Sequence, residues 1–203
     1  MTNDETMALL QRFCASKSDG REYLHKPILR DACVFATNGH IIIRVPADPG
    51  LAAEPSKFPA DLKNRFAGID PDRLTYVDIP KLPEMGQCDF CGGTGAAAKC
   101  ADCEGAGEFD RNGWTYQCQS CDGEGQIEAR AVEDQDWLVP CNACDGAGVI
   151  GNDRVEVGNS GYANRYLRMI ADLPGVRFAP RGKTDAAYFS FDGGDGLLMP
   201  RRA

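Results

Sequence analysis

The sequence predicts an α+β protein, helices packed on an antiparallel sheet, with a small cysteine-rich module of β-hairpins inserted into its middle. Three observations carry that reading. Four copies of one eight-residue pattern, Cys-x-x-Cys-x-Gly-x-Gly, lie between Cys88 and Gly148. Asn38-Gly39 joins two apolar runs, 32–37 and 40–45, in the manner of a tight hairpin. Two stripes at helical spacing bracket the strands: Leu9, Leu10, Phe13 and Cys14 near the start, and Ala163, Tyr166, Leu167 and Ile170 near the end. The implied organisation is one domain with halves at 1–84 and 151–203, split by an insertion over 85–150.

Asn3 or Asp4 is the expected cap of the first helix. After the Asn38-Gly39 hairpin, the stretch from Pro46 to Pro83 carries seven prolines and little periodicity apart from a short strand at 74–79, so it is expected to run over the surface. Inside the insertion, Asn112-Gly113 followed by Trp114, Thr115 and Tyr116 signals a tight hairpin. The runs 126–132 and 136–139 read as a second one. Trp114 and Trp137 either bind a ligand or cover strand faces in a module too small for a core of its own. Beyond the insertion, 154–157 reads as a strand and Asn159 or Ser160 as the cap of a second helix. Strands at 176–179, 187–191 and 197–199 close the chain, separated by Arg181-Gly182-Lys183 and the glycine-rich 192–196.

The four repeats are Cys88-Asp-Phe-Cys91-Gly-Gly93-Thr-Gly95, Cys100-Ala-Asp-Cys103-Glu-Gly105-Ala-Gly107, Cys118-Gln-Ser-Cys121-Asp-Gly123-Glu-Gly125 and Cys141-Asn-Ala-Cys144-Asp-Gly146-Ala-Gly148. Two residues between cysteines let both sulfurs face one tetrahedral ion, and the glycines permit the positive-φ turn that aims N–H groups at thiolates. Eight thiols in four such knuckles fill two all-cysteine zinc sites. A closed four-sulfur shell has no position for water or substrate, so two structural Zn²⁺ ions are expected. Disulfides need an oxidising compartment, and the acidic start Met1-Thr-Asn-Asp-Glu-Thr6 is followed by no apolar leader. A redox Cys-x-x-Cys occurs once beside a βαβ pattern, not four times with matched glycines. Cys14 and Cys33 sit on apolar faces and read as small core residues.

At 203 residues the chain holds one ordinary domain plus a small module, and no stretch approaches a membrane span. A soluble cytoplasmic protein is expected. Charge is divided unevenly: 1–84 carries 11 basic and 12 acidic side chains, 85–150 carries 3 and 12, and 151–203 carries 8 and 6. The net charge of −8 therefore belongs to the cysteine-rich segment, which should repel phosphate backbones.

The four repeats resemble the cysteine-rich domain of DnaJ-type chaperones, over 88–148 only; a His-Pro-Asp loop and a helical J-domain are missing from the N-terminal part. In that family the first and fourth knuckles share one zinc, and the second and third share the other. The resemblance therefore implies Cys88, Cys91, Cys141 and Cys144 on one ion, and Cys100, Cys103, Cys118 and Cys121 on the second.

The outer frame resembles a domain of the bacterial DNA polymerase sliding clamp. The resemblance rests on Arg21-Glu-Tyr-Leu24, on Phe35-Ala-Thr-Asn-Gly-His40, and on the closing unit from Val155-Glu-Val157 through Tyr162 and Tyr166-Leu167 to Leu197-Leu-Met199-Pro200-Arg201. Bacterial clamps have three such domains, whereas this chain has one, split by the insertion. Clamp helices face DNA with basic residues, which implies phosphate contacts from Arg12, Lys17, Arg165 and Arg168; an ordinary solvated helix face is the alternative. The clamp's peptide pocket lies near its C-terminus, which implies Leu197 and Met199 as receivers of a partner's motif, against packing in the core.

Catalysis finds few groups. His25 and His40 are the chain's histidines, and His40 belongs to the hairpin motif. The glycine-rich run 92–99 lacks the interval and the Lys-Ser/Thr ending of a phosphate loop. The expectation is a non-enzymatic, zinc-binding protein-interaction module of phage or mobile-element type, acting near DNA replication through its clamp-like scaffold. Its partner would be a basic or unfolded protein surface, or a replication protein. Two alternatives stand beside it: a chaperone-like holdase working through the zinc arm, and sequence-blind DNA binding by a homo-oligomeric ring.

Overall fold

The structure is a computed structural model that describes residues 2–16, 19–48, 54–55, 62–129, 137–144, 146–150 and 154–201. The chain divides into two compact units, Met1–Glu84 with Gly151–Ala203, and Met85–Ile150. In chain order the strands are β1 (Ile28–Arg30), β2 (Cys33–Thr37), β3 (Ile41–Pro46), β4 (Glu54–Pro55), β5 (Gly86–Gln87), β6 (Ala96–Lys99), β7 (Glu108–Arg111) and β8 (Trp114–Gln117). They continue with β9 (Gln126–Glu128), β10 (Leu138–Pro140), β11 (Val149–Ile150), β12 (Arg154–Val157), β13 (Ser160–Ala163), β14 (Arg177–Ala179), β15 (Ala187–Phe191) and β16 (Gly194–Leu198). The α-helices are α1 (Asn3–Arg12), α2 (Leu62–Arg65) and α3 (Asn164–Ala171).

The expected class, an α+β sliding-clamp-like domain of helices on an antiparallel sheet, is overturned. The protein is mostly β. Among the described residues only α1, with ten residues, and α3, with eight, exceed a single helical turn. The larger unit is built on a seven-stranded sheet in the order β14-β15-β16-β3-β2-β1-β4, and the sheet is mixed because β4 runs parallel to β1. Each apolar stripe covers at most three helical turns, whereas sheet pairing takes in Ser160, expected as a cap, and Gly194–Gly196, expected as a loop.

Burial on both sheet faces explains the unbroken apolar run of β3. Ile41 and Ile43 face one side with Val34, Ala36, Phe178, Phe189 and Leu198, where Leu10 of α1, its C-cap Phe13, and Tyr166, Leu167 and Ile170 of α3 join them. Ile42 faces the other with Phe35, Phe66, Tyr188 and Leu197. Each Val, Leu, Ile or Phe side chain so withdrawn from water contributes about 1.5–3 kcal/mol. On the second face Arg44 makes a two-pronged ion pair with Asp195 directly across the β3–β16 ladder, at 2.6 and 2.9 Å, its guanidinium 3.8 Å above the Phe66 ring.

The β2–β3 turn follows its sequence signal: Gly39 has φ +93°, and the Asn38 side-chain oxygen accepts the N–H groups of His40 and Ile41 at 3.0 and 3.2 Å. Several local expectations are corrected. The cap of α1 is Thr2, in a reciprocal capping box with Glu5 that precedes Asn3 and Asp4. Ser160 caps no helix; it begins β13, which pairs with β12, and its hydroxyl donates to the Gly182 carbonyl at 2.6 Å. The strand expected at 74–79 reduces to one bridge between Val77 and Phe178. No helix among the described residues is long and apolar enough to cross a membrane.

Candidate metal centres

Unit 85–150 has two short ladders, β5–β11 and β7–β8, and a three-stranded sheet in the order β10-β6-β9. The second hairpin expected from 126–139 is corrected by this order: β9 and β10 each pair with β6, which lies between them. Part of that expected run, 130–136, lies outside the described residues. Each strand of the sheet ends in a cysteine knuckle. β6 leaves Gly95 and enters Cys100, β9 leaves Gly125, and β10 enters Cys141.

The structure brings the eight cysteines into two groups, Cys88, Cys91, Cys141 and Cys144, and Cys100, Cys103, Cys118 and Cys121, all buried. Within each group the four sulfurs lie within 4.8 Å of one another. The Sγ–Sγ separations are 4.0 Å for Cys88–Cys141, and 3.8 Å for each of Cys91–Cys144, Cys100–Cys118 and Cys103–Cys121. Four sulfurs about 2.3 Å from a central ion form a tetrahedron with edges of about 3.8 Å, so both groups fit a tetrahedral metal ion.

The repeat's glycines close each pair of knuckles. The N–H of the first cysteine donates to the carbonyl of the partner knuckle's last glycine: Cys88 to Gly148 (2.9 Å), Cys141 to Gly95 (3.0 Å), Cys100 to Gly125 (2.9 Å) and Cys118 to Gly107 (2.8 Å). These last glycines have φ between +71° and +77°, and each N–H donates to its own knuckle's second sulfur at 3.2 or 3.3 Å. A Cβ there would overlap a backbone carbonyl of the partner knuckle, that of Gly146 at Gly95 and that of Gly93 at Gly148. Each centre is thus a pair of knuckles with a local two-fold pattern of bonds.

Electrostatics sets the thiols apart. Burial pushes Cys118 and Cys141 up to about 12. At Cys91 and Cys103 the same burial is outweighed by backbone N–H donors, led by Gly95 and Gly107, which bring them to about 6 and about 7. A cation held in either shell would let the high thiols release their protons. Cys14, also held up to about 12 by burial, belongs to neither group; its thiol donates to the Leu10 carbonyl at 3.7 Å.

Sequence reasoning missed the supporting side chains. Gln87 donates its amide to the Gly92 carbonyl at 2.6 Å, and Gln117 does the same to Asp122 at 2.5 Å, each just ahead of a first cysteine. Ser120 donates to Asp102 across the second centre. Gln126 is buried; its amide donates to the Pro140 carbonyl and its oxygen accepts the Asn142 N–H, both at 2.9 Å, tying the exit of one centre to the entrance of the other. The available signal was a glutamine adjoining a knuckle at 87, 117 and 126.

Arg12, Arg165, Arg168 and Leu197 lie in the larger unit and are engaged within it. Arg12 pairs with Asp172 at 3.4 Å; Arg165 lies 4.7 Å over the Tyr166 ring and donates to its hydroxyl; Arg168 donates to the carbonyls of Leu82 and Pro83. Lys17 lies outside the described residues. Leu197 is buried among Phe35, Ile42, Phe66 and Tyr188, whereas Met199 is half exposed. His40 stacks on Tyr166 with centroids 6.0 Å apart.

Fold and site together define a mostly β protein with a module that can hold two metal ions in all-cysteine shells. No protein-family model, curated protein or solved structure matches the chain. Neither the DnaJ nor the clamp resemblance is therefore carried by a family match.

Proposed function

We propose that this protein is a non-enzymatic zinc protein whose 85–150 arm is a metal-built platform for a protein partner. The observation that carries the reading is the closed shell. All four coordination positions at each centre are taken by buried sulfur, and the edge lengths suit a tetrahedral tetrathiolate ion. A shell of that kind supplies folding energy rather than a place for substrate, about 10–16 kcal/mol of apparent binding energy in small zinc modules. The likeness of 88–148 to the DnaJ cysteine-rich domain supports zinc as the ion and protein as the partner. With the clamp architecture overturned, no structural support is left for a DNA-encircling ring.

The test is elemental analysis of freshly purified protein, joined to circular dichroism before and after chelation. Two equivalents of zinc per chain, with loss of module structure on their removal, are expected. Fewer than two tightly held equivalents, or iron in their place, would sink the zinc reading. A second reading, a holdase for unfolded chains, draws on the exposed aromatic side chains of β7 and β8. It requires suppression of client aggregation that disappears when 86–150 is replaced by a short linker.

A further inference from the structure

The β7–β8 hairpin has no core beneath it. All eight of its strand residues are exposed, and within the described residues neither outer edge is paired. Its register decides which side chains share a face. Phe109 lies opposite Tyr116 and Arg111 opposite Trp114, so all four project from one side, while Glu108, Asp110, Thr115 and Gln117 project from the other. Phe109 and Tyr116 stack with centroids 6.3 Å apart and planes at 23°. Trp114, beside the Asn112-Gly113 turn, is 71% exposed, and its two aromatic neighbours are 47% and 48% exposed. The turn is tight, with φ +54° at Asn112 and +78° at Gly113, and Thr115 donates to Asp110 at 2.7 Å on the polar face. Three aromatic rings open to water on one face of a two-stranded ribbon form an exposed apolar patch of the kind that marks an interaction site.

Charge selects the occupant. The unit carries 12 acidic and 3 basic residues; Arg111 is the hairpin's own cation on the aromatic face, and it is outnumbered by Glu104, Asp122 and Glu124, exposed on the two knuckles from which the hairpin emerges. Aromatic faces within an acidic field attract ammonium and guanidinium groups. Nucleic acid bases also stack on such rings, but their phosphates meet a unit of net charge −9. A second copy of the chain offers no basic surplus to match, since the rest of the sequence holds 19 basic against 18 acidic residues.

Building on the platform reading, we propose that the aromatic face of the β7–β8 hairpin docks an extended, arginine- or lysine-bearing segment of a partner protein. The segment lies along the ribbon, adds to the free edge of β8 through its main chain, and places alternate cationic side chains beside Trp114 and beside the stacked Tyr116–Phe109 pair.

The test uses full-length, metal-loaded protein and three labelled probes followed by fluorescence anisotropy: a peptide alternating arginine and valine, its glutamate counterpart, and a short oligothymidylate. The arginine peptide should bind at least about tenfold more tightly than either other probe, and Trp114→Ala/Tyr116→Ala should weaken it by at least about tenfold while Trp137→Ala does not. In unmutated protein the Trp114 indole N–H resonance should shift on addition of the arginine peptide. Equal binding of the arginine and glutamate peptides, preferred binding of oligothymidylate, or an unmoved Trp114 resonance overturns the proposal. Protein that holds two metal equivalents yet fails these tests refutes the docking face and leaves the metal scaffold standing.

Discussion

The Cys141 N–H donates to the Gly95 carbonyl at 3.0 Å, joining the fourth knuckle to the first across more than forty residues of chain. The reciprocal bond from Cys88 to Gly148 completes the pair. Metal ligation and glycine backbone are thus one device: the glycines bring the main chains together, and that approach sets the sulfurs at tetrahedral spacing.

Gly95→Ala should remove this centre. A methyl group there overlaps the Gly146 carbonyl, and the φ of +75° strains any side chain. Bound metal should fall from two equivalents to one by elemental analysis. Gly86→Ala is the control, because nothing lies within 4 Å of its Cβ position and its φ is ordinary; it should retain both ions.

Loading should be ordered. Cys100 and Cys118 are 18 residues apart, Cys88 and Cys141 are 53 apart, and the shorter loop closes inside the longer one. Loop-closure entropy favours the inner centre by about 1 kcal/mol, and its closure also assembles β6 and β9 for the outer one. Cys141→Ser should leave one ion in the inner centre. Cys100→Ser should weaken the outer centre as well, at least about tenfold in a competitive chelator titration.

Gln126→Ala should cost about 1–3 kcal/mol, since the Pro140 carbonyl and Asn142 N–H both lose their partner. The expected readout is release of metal from the outer centre at lower chelator concentration than in the parent, with the inner centre unchanged. Equal release from both variant and parent would show that the two centres are not joined through this side chain.

In the larger unit, the Arg21 side chain, hydrogen-bonded to Asp19 at 2.7 and 2.9 Å, holds that carboxylate down at about 2. A carboxylate lowered on folding contributes stability above its ordinary value near 3.9, and that contribution is lost as pH falls toward the folded value. Because the pair is solvent-exposed, the stabilisation stays below about 1 kcal/mol. A carbon-detected titration should place the Asp19 midpoint below the ordinary carboxylate value, and Arg21→Ala should move it back up toward about 3.9.

The metal module was the most legible part of the chain, because ligand spacing and positive-φ glycines act through covalent geometry within eight residues. The Asn38-Gly39 and Asn112-Gly113 turns were legible for the same reason. What escaped depended on partners distant in sequence. Ser160 carries the signature of a helix cap, but pairing of β13 with β12 outweighs it. The parallel β1–β4 contact left no periodic trace in a proline-rich stretch. Gln126 is an ordinary polar residue until β9 and β10 are brought to either side of β6.

The shortness of β6 has an experimental use. Four pleated residues, rising about 3.3 Å each, link the first knuckle to the second, so both cysteine groups are tied to one short rod. Substituting cobalt would turn that rod into an internal ruler: paramagnetic shifts from each ion could be read on the same amides, and relaxation of one centre by the other would report whether the rod stays straight when a peptide is bound.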